Sequence, residues 1–185
     1  MAALKPWHRH RQETPEQLPE QSGQYLTFCS ASQQFGINIL LVREILELQA
    51  LTPLPRMPPH VCGVLNLRGR AVPVIDLAQC LGRNATCARR RNCIIILQLE
   101  NEATNKDIGI LVEEVRSVLE ISPQQIEAAP QLGDILPAQF IAGMAHQEQG
   151  FIVLLQAEHL VSPDELTRLY LAQQHAQEPT GAEHE

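Results

Sequence analysis

The sequence predicts a mainly β protein in which two small barrels share one chain, and three observations predict it. Short runs rich in Val, Ile and Leu alternate with clusters of Gly, Asn, Pro and polar residues, the spacing of strands joined by turns. The 185 residues are 44% hydrophobic but include only four Phe, two Tyr and one Trp, so the core must be aliphatic. The third observation is an internal duplication. Phe35-Gly36-Ile37 and Val42-Arg43-Glu44-Ile45-Leu46 recur 73 positions later as Ile108-Gly109-Ile110 and Val115-Arg116-Ser117-Val118-Leu119. Val61-Cys62-Gly63-Val64 and Val72-Pro73-Val74-Ile75 recur 80 positions later as Ile141-Ala142-Gly143-Met144 and Ile152-Val153-Leu154-Leu155. Each half then supplies about five short strands, enough for a small, nearly closed sheet that hides its edges. Units that small bury little alone, so a common aliphatic layer should join them, and the groove at the junction is the expected binding surface.

The elements follow in order. Tyr25 to Cys29 reads as a strand, Ser30 to Gln34 as a turn, and Phe35 to Asn38 as the returning strand. Ile39 to Leu46 carries Leu41, Val42, Ile45 and Leu46 at the spacing of one helical face, so a short helix is expected before Pro53 and Pro55. Val64 to Leu67 and Ala71 to Ile75 flank Arg68-Gly69-Arg70, the clearest hairpin, where Gly69 can take a positive φ. Asp76 is placed to cap a helical stretch Leu77 to Leu81, and Gly82 to stop it. Later strands are Cys93 to Leu99, Ile108 to Val112, Val115 to Ile121, Phe140 to Ala145 and Phe151 to Leu155. A longer helix should open at Pro163-Asp164-Glu165 and bury Leu166, Leu169 and Tyr170 with Leu171. Residues 1–23 and 173–185 lack a hydrophobic period and are expected to be flexible tails around a domain at 24–172.

Charge and motif content narrow the function. The net charge is −7, which disfavours nucleic acid, and Arg89-Arg90-Arg91 with Arg83 reads as a solvated loop because no aromatic residue is interleaved for base stacking. Five cysteines with no Cys-x-x-Cys pair suggest neither a disulfide framework nor a zinc ribbon, and a reducing cytoplasm fits them best. No apolar run approaches the ~18 residues of a membrane span, and the N-terminal residues lack a signal-peptide core, so no membrane insertion is expected. Phosphate-binding loops, dinucleotide fingerprints, nucleophile elbows and His-Glu-x-x-His are absent. His60-x-Cys62 is the best metal pair and lacks further ligands nearby, so a buried thiol beside a surface histidine is the favoured reading, and no metal or cofactor is expected. His146 and His159 have no carboxylate at a meaningful spacing, and Glu113 with Glu114 would point to opposite faces of a strand.

The segments QYLTF, FGINILLVREIL, HVCGVLNLRGRAVPVIDL, IGILVEEVRSVLEI, FIAGM and FIVLLQAEHL occur in an order that resembles the CheW-like chemotaxis coupling proteins over residues 24–172. GVLNLRGRAVPVIDL is the most specific piece, with its Asn-Leu-Arg-Gly hairpin and the Asp that ends the next strand. The resemblance implies two tandem five-stranded SH3-like β-barrels packed through a shared hydrophobic core, with short helices and a C-terminal helix. It also implies a non-catalytic adaptor that binds the cytoplasmic tip of a chemoreceptor and the regulatory domain of a CheA-type histidine kinase, by laying a helix in an apolar groove. The receptor- and kinase-facing positions it implies are Ile39, Val42, Glu44, Arg68, Gly69, Gly109 and Val115. Three features depart from the family pattern: Cys62 where a lysine is common, a longer stretch from Glu100 to Asp107, and Glu113-Glu114 for Val-Asp. An adaptor of a pilus or other alternative chemosensory pathway is compatible with them. A small enzyme or ligand-binding barrel is the reading from another class.

Overall fold

The computed structural model describes residues 22–87, 89–101, 104–128, 138–148, 150–162, 164–165, 167–169 and 171. The chain opens with a hairpin of β1 (Gly23–Ser30) and β2 (Gln33–Asn38), closed by Ala31 and Ser32, both at positive φ. A single 3-10 turn at Ile39–Leu41, capped by Asn38 Oδ1 accepting from the Leu40 N–H, leads into β3 (Val42–Glu47). A hairpin follows, of β4 (Val61–Leu67) and β5 (Arg70–Asp76), then helix α1 (Leu77–Cys80). The second half contributes β6 (Cys93–Asn101), β7 (Thr104–Val112), β8 (Glu114–Ile121), the short β9 (Ile126–Glu127), β10 (Ile141–Gln147) and β11 (Gly150–Leu155).

The strands form two sheets, ordered β8-β1-β2-β11-β10-β9 and β3-β6-β7-β5-β4. Neither half closes on itself, as the duplication alone would suggest. The β1–β2 hairpin of the first half sits in the sheet of the second, and the β6–β7 hairpin of the second half sits in the sheet of the first. The exchange is symmetric to the residue: β11 pairs in parallel with β2 at Leu154 and Gly36, as β5 pairs with β7 at Val74 and Gly109. The register breaks of β4 and β10, at Val61/Gly63 and Ile141/Gly143, also correspond.

Alternating side chains explain why this arrangement is stable, because a strand buried on both faces can serve two cores at once. Along β6, Ile95, Leu97 and Leu99 enter a central layer, while Ile94 and Ile96 enter the interior of the five-stranded sheet with Leu65, Val72 and Val74. Along β11, Val153 and Leu155 join the central layer while Ile152 and Leu154 fill the other sheet with Tyr25, Ile121 and Ile126. The central layer takes Leu26, Phe28, Phe35 and Ile37 from one exchanged hairpin and Ile108, Ile110 and Val112 from the other, so the two barrels share one hydrophobic core. Leu169, in the helical residues that follow the last strand, is fully buried in it, whereas Leu171, expected on the same face, is exposed; Leu166 and Tyr170 lie outside the described residues. So do the expected tails, except that pairing begins at Gly23, opposite Ile121.

Two expectations change. Residues 42–47 form a strand rather than the end of a helix, with half-buried Val42, Glu44 and Leu46 alternating with exposed Arg43, Ile45 and Glu47. β-branched Val42 and Ile45 fit a half-buried pleated edge, and pairing with β6 satisfies the backbone there. The long stretch Glu100 to Asp107 is no loose loop: β6 and β7 stay in register through Leu99 opposite Lys106 and on to Asn101 opposite Thr104.

Asp76 caps α1 as its position suggested, Oδ1 accepting from the Ala78 N–H at 3.0 Å, and it also receives the Thr86 N–H and hydroxyl at 2.6 and 2.7 Å. Gly36 and Gly109 occupy equivalent close approaches. A Cβ on Gly36 would stand 2.9 Å from a Leu154 methyl, and one on Gly109 2.9 and 3.0 Å from methyls of Ile94 and Val74. Gly36→Val and Gly109→Val should therefore each destabilise the protein, by about 2 kcal/mol, measured by urea unfolding. Near-neutral behaviour of either would contradict the symmetric packing.

Candidate functional site

The candidate residues divide by what their strands do. Ile39, Val42 and Val115 are half-buried and pack against the shared core, Val42 and Val115 at equivalent places in the two halves. Glu44, on β3, meets Arg68 at the tip of the β4–β5 hairpin, where Gly69 also lies. Gly109 is buried within the five-stranded sheet and reaches the surface only through what it packs against. The seven positions therefore do not converge on one groove. β3 carries both Val42, which packs on the shared core, and Glu44, which pairs with Arg68 of the hairpin tip.

The hairpin tip is a two-residue turn in which both Arg68 and Gly69 have positive φ, 52° and 82°. Gly69 adopts this freely and its N–H donates to Asn66 Oδ1 at 3.0 Å. Arg68 adopts it at some cost, and its guanidinium then reaches Glu44 Oε2 at 3.1 Å. This side chain is 81% exposed while that of Glu44 is 20% exposed. An exposed pair of this kind stabilises a fold by no more than about 1 kcal/mol, so its value lies in presenting charge in a fixed place.

Below the pair, Asp107 on β7 is only 6% exposed and accepts Arg43 Nη1 at 3.0 Å on both carboxylate oxygens. Arg70 Nη2 donates to the same carboxylate. The register break of β3 between Val42 and Glu44 lets consecutive Arg43 and Glu44 both reach groups on neighbouring elements. Beside this charged rim, Leu40 in the 3-10 turn is 87% exposed, with half-buried Ile39 and Leu41 flanking it. Reading from sequence missed Leu40 and Asp107. The signal for Leu40 was available, since four successive apolar residues, Ile39 to Val42, cannot all face one core.

Two histidines pair with carboxylates elsewhere in the fold. His60 Nε2 lies 2.6 Å from Glu165 Oε1, and His146 Nε2 lies 2.9 Å from Glu127 Oε1 beside the Phe151 ring. These carboxylates lie far along the chain, out of reach of a search on sequence spacing. Glu114 holds Arg91 at 3.0 Å and Arg116 at 3.2 Å, while Glu113 occupies the bend before β8. Burial, then the Asp76 carboxylate, pushes the Cys62 thiol up to about 11, and burial, then Glu165 and Asp76, pushes Cys80 up to about 12. Raised in this way, the Cys62 thiol carries little thiolate at neutral pH and is a poor nucleophile. Among the described residues no group of three or more His, Cys, Asp or Glu could hold a metal ion, and no helix is long and apolar enough to cross a membrane.

The interlocked double barrel thus carries an apolar turn and a fixed ion pair on its surface. Residues 24–165 match the CheW-like domain, and the chain belongs to that family. It is 34% identical over 140 residues to a probable chemotaxis protein CheW of Rhizobium etli, covering 76% of this chain and 88% of that one. It is 27% identical over 164 residues to the chemotaxis protein CheW of Treponema pallidum, covering 86% and 94%. Among solved structures, the scaffolding protein TtCheW of Thermoanaerobacter tengcongensis shares the fold, with a TM-score of 0.69 at 24% identity over 86% of this chain and 96% of that one. The protein is accordingly a chemotaxis coupling scaffold of the CheW type.

The thiol shifts make a direct prediction. With a disulfide reagent at pH 7.5, exposed Cys87 should react first, and Cys62 and Cys80 at least about tenfold more slowly. Their rates should keep rising above pH 9 as thiolate forms. Equal rates at pH 7.5 would contradict the partial burial of Cys62 and Cys80.

Proposed function

We propose that this protein joins the cytoplasmic tip of a chemoreceptor to the regulatory domain of a CheA-type histidine kinase, and that it does so by binding alone. The receptor docks on the face made by the Ile39–Leu41 turn, β3 and the tip of the β4–β5 hairpin. One observation carries the assignment: exposed Leu40, with Ile39 and Val42 beside it, supplies an apolar strip, and the Arg68–Glu44 pair at its far end supplies a fixed dipole. An amphipathic helix needs that combination, a strip to bury its apolar face and a charge pair to set its direction. In the other half, Val115 and the exposed Val118 hold the places of Val42 and Ile45 at the equivalent edge strand. The chemistry asked of the site is positional, and the protein works where its partners are, at the cytoplasmic ends of receptors. A second arrangement, receptor binding without kinase coupling in a pilus-type pathway, draws on Cys62, whose protonated thiol takes the place of a lysine charge.

Reconstitution with receptor and kinase separates these readings. The protein should make kinase autophosphorylation receptor-dependent. Receptor binding without any change in kinase activity would favour the second arrangement, and no binding would refute both. Arg68→Glu puts a second carboxylate beside Glu44, and like charges at an interface cost several kcal/mol. Coupling should fall by at least about tenfold while the melting temperature stays within about 2 °C of the parent. Unchanged coupling would leave Arg68 as a turn residue only.

A further inference from the structure

We infer that Asp107 is a positioning residue of the partner-binding face, holding Arg43 and Arg70 so that together they receive a carboxylate from the docked helix. The inference rests on the coupling role proposed above and deepens it. Asp107 is a carboxylate at the head of an otherwise aliphatic stretch, Ile108 to Val112, and it is nearly inaccessible. Its two guanidinium donors come from strands that are not neighbours in the sheet, β3 at the edge and β5 two places from the far side of β6. One buried acid therefore ties together the two elements that carry Glu44 and Arg68.

The fold itself does not need this clamp. In the pseudo-equivalent half the corresponding positions are Gln34 for Asp107, Arg116 for Arg43 and Gly150 for Arg70, and that sheet forms all the same. A buried carboxylate with two half-exposed arginine partners, kept in one half and dispensed with in its structural twin, points to a task beyond stability. The charges indicate the task. Arg43, Arg68 and Arg70 outnumber Glu44 and Asp107 by one, a local positive excess on a chain of net charge −7. The Arg43 and Arg70 side chains remain 42% and 56% exposed. Each guanidinium has five N–H donors, more than one shared carboxylate can use, so both still offer donors outward in a fixed orientation. The partner that fits is a helix with an Asp or Glu one or two turns from its apolar anchor.

The test measures binding of the wild-type protein, Arg43→Gln and Asp107→Asn to a chemoreceptor tip fragment, and to the same fragment with its exposed Asp and Glu changed to Asn and Gln. The wild type should prefer the acidic fragment by about tenfold or more, a preference that weakens with added salt. Both variants should reduce that preference to near unity. Arg43→Gln leaves Asp107 its Arg70 partner and so reports even if Asp107→Asn folds poorly. A preference unmoved by either folded variant, or a wild type indifferent to the fragment's charge, would overturn the role of Asp107 alone. Wild-type binding to neither fragment would overturn the coupling role and, with it, this assignment.

Discussion

The structure depends on the exchange of hairpins between its halves. Because β1–β2 completes the sheet of the second half and β6–β7 that of the first, neither sheet can form from a contiguous half of the chain. The exchanged hairpins lie back to back across the central layer, and their alternate residues fill the two barrels. A slip of one residue in either hairpin would turn Ile95, Leu97, Phe35 and Ile37 out of the shared core and break both sheets together. The two barrels are thus one cooperative unit, and the surface that spans them has a fixed shape.

That rigidity gives the partner-facing surface its meaning. The 3-10 turn and β3 leave the shared core and run toward the β4–β5 hairpin, whose base is held by Asp76 through α1 and Thr86. Little of the rim's charge contributes to folding, since Arg68, Arg70 and Arg43 are all substantially exposed. The fold supplies stability through aliphatic burial, and in the proposed function the rim supplies recognition through a few placed charges and one bare leucine. Such a division suits a scaffold, whose surface can change partner without loss of the core.

Much of this was legible in the sequence. Most of the strands, the Arg68-Gly69 turn, the Asp76 cap and the duplication rest on local chemistry, and local chemistry decides them. What escaped has a physical reason in each case. Val42, Ile45 and Leu46 satisfy helical spacing, and only pairing with β6, some fifty residues away, selects the strand. The duplication shows that two units exist without showing that each lends the other a hairpin, because an exchanged and a self-contained unit have the same strand sequence. Among the candidate site residues, Glu44 and Arg68 do meet, whereas Gly109 turns out to serve packing. Asp107 went unnoticed because its partners, Arg43 and Arg70, are brought to it by the sheet alone.

The central claim is that one face, the Ile39–Leu41 turn with β3 and the β4–β5 hairpin tip, receives the receptor. Hydrogen exchange of the backbone amides, with and without a saturating chemoreceptor tip fragment, tests it most directly. The account predicts slower exchange at residues 39–47 and 66–70 on binding, with the β10–β11 hairpin of the other half unaffected. Protection confined to β10–β11, with residues 39–47 and 66–70 unchanged, would contradict it.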